Sequence, residues 1–189
     1  MNTEKILSDM RAEMQKALDF TENEFNSLHT GKASPAMVEQ VQVEVPSYGT
    51  SMHLRDLAAI TTPDARTIAI EPWDKGVTKD IERALQKANL GMNPVVAGAV
   101  IRMVVPDLSR ERREDLVKVA SQHSEDGKVG VRKARRDAMD ALKALQKDSE
   151  ISEDDLHRLE KSVQKATDEF VKKIEESLAR KEQELLSMG

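Results

Sequence analysis

Residues 116–145, LVKVASQHSEDGKVGVRKARRDAMDALKAL, decide the fold of this chain. Apolar and small residues recur there every three or four positions, which places them along one stripe of an α-helix. The stripe comprises Leu116, Ala120, His123, Gly127, Val131, Ala134, Ala138, Leu142 and Leu145. We predict a helix of about 40 residues, roughly 60 Å long, around this stripe. The small residues near its middle indicate that a neighbouring helix approaches closely.

Two further segments have the same helical spacing. The first comprises Leu7, Met10, Met14, Leu18, Thr21, Phe25 and Leu28, and the last comprises Leu156, Leu159, Val163, Ala166, Phe170, Ile174, Leu178 and Leu185. Ser152 and Asp155 resemble a capping box, which predicts that the last helix begins there. Only a few residues join the second and third helices, so these two should pack antiparallel, with the N-terminal helix covering the surface they leave. We therefore predict a three-helix bundle.

The segment between the first two helices has a different composition. It contains all six prolines, the only Trp and the only Tyr, and a proline in a helix interior costs about 3 kcal/mol. Alternation predicts a strand over 41–45, and strands are also predicted over 57–61, 67–71 and 95–105. A helix is predicted over 77–90. This segment is therefore predicted to be a small β/α domain inserted into a helical protein.

The chain is accordingly predicted to be of the α+β class, with two domains. Residues 1–29 and 107–189 form a long antiparallel three-helix bundle, and residues 32–105 form the inserted domain. The two crossings lie near 30–31 and 105–107. Short crossings that contain Gly and Pro permit movement between domains. The predicted hinge residues are Thr30, Gly31, Val105 and Pro106.

The bulk composition limits the function. The chain has no cysteine, so disulfides, thiolate metal sites and cysteine nucleophiles are excluded. No run approaches the roughly 18 apolar residues of a membrane span, and the N-terminus has no apolar targeting region, so we expect a cytoplasmic protein without a membrane partner. The formal net charge is −5. Binding to nucleic acid would therefore require a local basic face.

Signs of catalysis are weak. The four histidines are scattered, with no pair at metal-ligand spacing. No phosphate-binding loop or dinucleotide fingerprint occurs. Asp74 and Lys75, after Trp73, leave a small enzyme as one alternative, although such a loop is more typical of an anchored turn between a strand and a helix. We expect no enzyme activity, catalytic residue, metal or cofactor.

A cationic face lies in the middle of the long predicted helix. Lys128, Arg132 and Arg135 follow one another at spacings of four and three, so they share a stripe, and Arg136 flanks it. The planar fork of arginine suits bidentate contact with phosphate. A rigid helix with such a stripe suits contact along an RNA backbone. The alternative is a solvated face with pairs inside the helix, such as Arg136 with Asp140.

A second group of cations begins the same helix. Arg110, Arg112 and Arg113 fall within its first turn. They extend the cationic surface of this helix that is a candidate for contact with RNA.

Seven strings of residues carry a resemblance that spans essentially the whole chain. They are Leu28–Pro35 (LHTGKASP), Asp64–Thr67 (DART), Pro72–Lys75 (PWDK), Leu90–Pro94 (LGMNP), Glu111–Arg113 (ERR), Val131–Ala138 (VRKARRDA) and Glu150–Asp155 (EISEDD). In this order and at these spacings they resemble the bacterial ribosome recycling factors.

The resemblance implies a fold and a function. It implies an L-shaped monomer of tRNA-like dimensions, in which a three-helix bundle carries a β/α/β sandwich domain. It implies that the protein enters the post-termination ribosome and, with the GTPase elongation factor G, helps to split it into subunits, releasing mRNA and tRNA. The bundle would contact 23S rRNA of the large subunit through Arg132, Arg135 and Arg136, with Arg112 and Arg113 as secondary candidates. The smaller domain would swing about the hinge. DNA is not an expected partner.

The chain departs from the family pattern at a few positions. His29 and Lys32 stand where the family usually has Arg, and His53 stands near a turn that commonly contains proline. Residues 96–98 replace a common Asn-Asp-Gly. The alternative from the bundle alone is a helical co-chaperone or coiled-coil adaptor, which predicts a dimer without salt-dependent affinity for RNA.

Overall fold

The computed structural model describes residues 2–187, and the chain forms two compact units. Its helices are α1 (Thr3–Ser27), α2 (Thr78–Lys87), α3 (Arg110–Lys147) and α4 (Glu153–Leu186). Its strands are β1 (Gln42–Val45), β2 (Thr50–His53), β3 (Ala58–Asp64), β4 (Thr67–Pro72), β5 (Pro94–Ala97) and β6 (Val100–Val104). The helical unit contains α1, α3 and α4, and the mixed unit spans residues 30–109. The expected α+β class with two architectures is confirmed.

The helical unit is a three-helix bundle with one apolar core. Buried side chains from all three helices meet in it, with Met14, Leu142 and Ile174 all fully buried. The start of α3 contacts the end of α4, since the Arg113 side chain bonds to the carbonyl of Leu185, so these two helices are antiparallel. Burial of apolar side chains of this size contributes about 1.5–3 kcal/mol each, which makes the core the main source of the bundle's stability.

The two glycines of α3 mark the close approach of α1. A Cβ on Gly127 would overlap the hydroxyl of Thr21, and one on Gly130 would lie 3.1 Å from the Cβ of Ala17. Because residue numbers rise along α1 as they fall along α3, the two helices are antiparallel. Glycine has a poor helix propensity, but at these two positions it lets α1 and α3 pack closely. A larger residue would separate the helices.

The start of α4 is fixed by the predicted capping box. The Asp155 backbone N–H donates to the Ser152 side chain over 3.0 Å, and the Ser152 backbone N–H donates to the Asp155 carboxylate over 3.4 Å. Reciprocal bonds of this kind satisfy N–H groups that have no partner within the helix. The predicted beginning of the last helix is therefore confirmed.

The mixed unit contains two antiparallel sheets and α2. One sheet has the order β3-β4-β6-β5, and the other is the β1-β2 hairpin. Its core gathers side chains from both sheets and the helix, including Val43, Ile70, Leu85 and Ile101, all fully buried. The chain thus builds a separate core of its own in this segment.

Two details of this unit differ from the sequence prediction. The single strand expected over 95–105 is wrong, because β5 and β6 form a hairpin that turns at Gly98, whose φ is +64°. Glycine adopts this left-handed conformation without steric cost. The strand β2 was not predicted, because Met52 is the only apolar residue among its four positions and no alternation is visible.

Candidate nucleic-acid interface

The arginine face predicted from the sequence lies on the outside of α3. Arg132, Arg135 and Arg136 are exposed, as is Lys133 between them. The neighbouring Val131 is fully buried, so the helix directs its apolar side inward and its guanidinium groups into solvent. The structure therefore brings these three arginines to one exposed helical surface, which we call the arginine face.

The arginine face has no internal neutralisation. Within residues 2–187, no ion pair joins Arg132, Arg135 or Arg136 to a carboxylate, and the pair of Arg136 with Asp140 that a solvated helix could form is absent there. The stretch 127–136 contains five Lys and Arg residues and no Asp or Glu. Three guanidinium forks are therefore available to an external anion.

Lys128 has a different environment from the arginines. Its ammonium lies 3.4 Å from a carboxylate oxygen of Glu125 and 3.1 Å from one of Glu175, and only 13% of its side chain is exposed. It joins α3 to α4 within the bundle. The sequence spacing did not reveal this, since Lys128 and the exposed Arg135 each lie three residues before a buried position, Val131 and Ala138.

The three arginines at the start of α3 are not equivalent. Arg110 is 93% exposed and lies 3.1 Å from Glu114, and Arg112 is exposed. Arg113 is buried, and its guanidinium donates to the carbonyl oxygens of Leu185 at 3.0 Å and of Ser187 at 2.9 Å. These contacts satisfy carbonyls at the end of α4. Its position three residues before Leu116, on the buried stripe, distinguishes Arg113 from its neighbours.

The second predicted hinge segment is anchored to the mixed unit. Val105 is fully buried, its N–H donates to the carbonyl of Arg66 at 2.7 Å, and its own carbonyl accepts from the Arg66 side chain at 2.9 Å. The same guanidinium lies 2.6 Å from Asp107. The compact units divide between residues 29 and 30 and between 109 and 110. Arg66 therefore holds the chain through residue 107.

Gly31 occupies a position that requires glycine. Its φ is +80°, and a Cβ there would lie 3.3 Å from Cγ of Leu108. A left-handed backbone and a close neighbour both disfavour larger residues. The backbone conformation of the first crossing therefore depends on glycine at position 31.

The loop after β4 is a structural anchor. Asp74 accepts hydrogen bonds from the Tyr48 hydroxyl at 2.5 Å and from the Gly76 N–H at 2.8 Å. The bond from Tyr48 is the larger cause of the lowered pKa of Asp74, and the same bond raises the pKa of Tyr48. A carboxylate held ionised in this way is a poor proton acceptor. The sequence did not reveal Tyr48 as the partner, since 26 residues separate the two.

Across residues 2–187, no group of three or more His, Asp and Glu side chains is arranged to hold a metal ion. No helix in that same part of the chain combines the length and the apolar character needed to cross a membrane.

Comparison with known proteins points to the ribosome recycling factors. The model of the family described as ribosome recycling factor matches residues 21–186. The chain is 44% identical to the ribosome-recycling factor of Xanthobacter autotrophicus, over 96% of each chain, and 44% identical to that of Nitratidesulfovibrio vulgaris, over 100% of each.

Solved structures agree with the sequence comparison. A solution structure of the ribosome recycling factor is similar over 100% of this chain and 99% of its own, with 34% identity and a TM-score of 0.72. A second is the T. thermophilus ribosome recycling factor, placed with the E. coli elongation factor G on the E. coli post-termination complex. It has 39% identity and a TM-score of 0.62, and covers 99% of this chain and 100% of its own.

Proposed function

The chain belongs to the ribosome recycling factor family, and from that premise we propose that it binds the post-termination ribosome through the arginine face of α3. The contact is with phosphates of 23S rRNA on the large subunit. With elongation factor G and GTP hydrolysis by that partner, binding promotes splitting into subunits and release of mRNA and tRNA. The protein acts as a monomer and catalyses no reaction itself.

The observation that carries this proposal is the unpaired state of Arg132, Arg135 and Arg136. A surface charge is ordinarily neutralised by a neighbour one turn away at little cost. Three adjacent guanidinium groups that form no ion pair within residues 2–187 leave their hydrogen-bonding capacity for an external partner. Phosphate matches their geometry and charge. Because the net charge of the whole chain is negative, such binding has to be local and oriented.

Not every candidate cation belongs to the proposed contact. Lys128 is shared between two carboxylates, and Arg113 caps the end of α4. Withdrawing Arg113 would leave the buried carbonyl of Leu185 without its donor, and withdrawing Lys128 would break two ion pairs within the bundle. We therefore assign the contact to the three arginines of the arginine face, with Arg110 and Arg112 as peripheral contributors.

The partnership with elongation factor G is supported by the T. thermophilus relative placed with that GTPase on the post-termination complex. We propose that the mixed unit moves relative to the bundle during splitting. The first pivot comprises Thr30 and Gly31. The second pivot follows Asp107 rather than lying at Val105 and Pro106, because Arg66 anchors the chain through residue 107. Movement at two short crossings is a common hinge design.

The test compares Arg132→Ala with Lys16→Ala, which removes an exposed cation on α1 that is paired with Glu13. Both variants should melt within a few degrees of the parent, because exposed helical sites typically change stability by about 0.5 kcal/mol or less. Arg132→Ala should bind purified large ribosomal subunits at least several-fold more weakly, and Lys16→Ala should bind like the parent. Equal binding by all three proteins would contradict the proposal.

A further inference from the structure

A groove lies between β1 and α2 in the mixed unit and includes no residue of the arginine face. Its volume is about 360 Å³, which is within the range of roughly 300–1,000 Å³ that is typical of ligand-binding clefts. Its walls include Gln42 and Glu44 of β1 and Asp80, Arg83, Ala84 and Lys87 of α2. Neither the proposed RNA contact nor the proposed pivots use this groove.

The wall formed by β1 is an open strand edge. Among the strands of residues 2–187, β1 pairs with β2 and with no other. The carbonyl of Val41 accepts the N–H of Leu54 at 2.9 Å, so in this register Gln42 and Glu44 direct their own N–H and C=O groups away from β2. Within residues 2–187 these groups bond neither to α2 nor to another strand. They are therefore available to an added strand.

The groove has an acidic end and a basic end. Tyr48, shortly after β1, donates to Asp74, shortly before α2, so the end of β1 lies beside the beginning of α2. The two walls of the groove therefore run in opposite directions. Glu44 and Asp80 lie at this end of the groove, and Lys87, the last residue of α2, lies at the other.

The charges along the groove are poorly neutralised within the chain. Glu44 and Lys87 form no ion pair within residues 2–187. Asp80 has its carboxylate 3.9 Å from the Arg83 guanidinium, at the limit of an ion pair, although only 17% of the Asp80 side chain is exposed. A carboxylate largely withdrawn from water gains from a closer cation than this. The acidic end therefore favours a positive group, and the basic end favours a negative one.

These features favour an extended peptide over a nucleic acid. The carboxylates of Glu44 and Asp80 repel phosphate, whereas they attract a basic side chain. A peptide strand also supplies the N–H and C=O groups that match the edge of β1, and its side chains supply both charges. Along α2, Asp80 and Lys87 are separated axially by about 10 Å, a distance that roughly three or four residues of an extended strand cover.

We propose that the groove between β1 and α2 binds a flexible, extended peptide segment of a partner protein, a role that goes beyond the proposed function. The segment adds to β1 as an antiparallel strand and bonds to the open backbone groups of Gln42 and Glu44. Its basic side chain lies at the acidic end, beside Glu44 and Asp80. An acidic side chain further along the segment pairs with Lys87 at the basic end.

The experiment follows the backbone amide signals of the full-length protein by NMR while a pentapeptide, Lys-Thr-Val-Thr-Glu, acetylated and amidated at its ends, is added. One reference peptide has its basic and acidic residues exchanged, and another is methylated on its three inner backbone nitrogens. The protein variants are Glu44→Pro, Glu44→Gln and Lys87→Glu. The control is Lys79→Glu, which makes the same charge change at an exposed residue of α2 outside the groove.

We expect the parent to reach half-saturation with the first peptide at about 1 mM or below, with the largest shifts at Gln42, Glu44 and α2. Glu44→Pro should abolish binding, because it removes an outward N–H that the hairpin with β2 does not use. Lys87→Glu should weaken binding at least about fivefold and Glu44→Gln about threefold, whereas Lys79→Glu should match the parent. Both reference peptides should bind more weakly than the first.

Two results would overturn the inference. One is the lack of a saturable shift at about 10 mM peptide, or equal binding of all three peptides, since either means that the open edge and the charge order are not recognised. The other is a dimer of the parent in sedimentation equilibrium that Glu44→Pro abolishes, which would assign the edge of β1 to a second copy of this chain.

Discussion

The Arg113 guanidinium donates to the carbonyl oxygen of Leu185 over 3.0 Å, joining residues 72 positions apart in the sequence. This contact caps the last turn of α4 with a side chain from the first turn of α3. An arginine that the sequence groups with RNA-binding candidates thus has a complete structural role within the bundle.

Replacing this arginine should therefore weaken the fold. We expect Arg113→Ala to lower the free energy of unfolding by about 2 kcal/mol, because its charge-assisted bonds to the buried carbonyl of Leu185 and the carbonyl of Ser187 are lost. Arg110→Ala, which removes an exposed cation of the same turn, should change it by about 0.5 kcal/mol or less. Urea denaturation of the two variants measures the difference. Equal stability of both would show that the cap contributes nothing.

The close packing of α1 on α3 gives a second prediction. Alanine has a better helix propensity than glycine by about 1 kcal/mol. At Gly127, however, a Cβ would overlap Thr21, whose hydroxyl already bonds to the carbonyl of Ala17 at 2.7 Å. Overpacking of this kind costs about 1–3 kcal/mol.

We therefore expect Gly127→Ala to destabilise the bundle in spite of its propensity, as measured by thermal unfolding. Ser121→Ala, at an exposed site of the same helix, should be neutral or slightly stabilising. A higher melting temperature for Gly127→Ala would mean that the two helices can separate at no cost.

The bond between Tyr48 and Asp74 makes the mixed unit sensitive to pH. The pKa of Asp74 is lowered from 3.8, chiefly by the Tyr48 hydroxyl. A lowered folded-state pKa stabilises the fold above the unfolded value, and this contribution is lost as the pH falls through the folded value. The pKa of Tyr48 is raised from 10.0 by the same bond, so its contribution is present below 10.0 and is lost at higher pH.

Carboxyl chemical shifts measure this directly. In the parent the Asp74 titration should have its midpoint below 3.8, and Tyr48→Phe should move that midpoint upward. Asp155, whose pKa is lowered by Ser152 in a different unit, should titrate identically in the parent and in Tyr48→Phe. An unchanged Asp74 midpoint in Tyr48→Phe would remove the hydrogen bond as the cause.

The three long helices could be predicted from the sequence because their apolar periodicity extends over many turns. The stripe around Val131 and the capping box at Ser152 each determine a local structure without help from distant residues. The hairpin at Gly98 was missed because a four-residue strand has too few positions to display a period. Its turn depends on one residue with positive φ.

Side-chain partners were less predictable than elements. The exposure of Arg132 follows from its position on the helix, but its lack of a carboxylate partner depends on rotamers and on the other two helices. Lys128 lies beside the buried stripe and Arg113 continues it, and a long side chain at either place can turn toward solvent or toward the core. The position of the cationic helix could therefore be predicted from the sequence. Only the structure separates its structural cations from its exposed ones.

We propose that the arginine face neutralises phosphates on the large ribosomal subunit. Its most direct measurement is the affinity for purified large subunits across a salt series, by sedimentation. The variant carries Gln at Arg132, Arg135 and Arg136, and a control with the same change in net charge carries Gln at Lys5, Arg11 and Lys16, all exposed on α1.

For the parent and the control, the logarithm of affinity should fall steeply with the logarithm of salt concentration. For the arginine-face variant, the slope should be smaller in magnitude by about 2–3, roughly one unit for each phosphate contact removed. Its affinity at low salt should also be much lower. Identical slopes for all three proteins, with intact folding, would contradict the account.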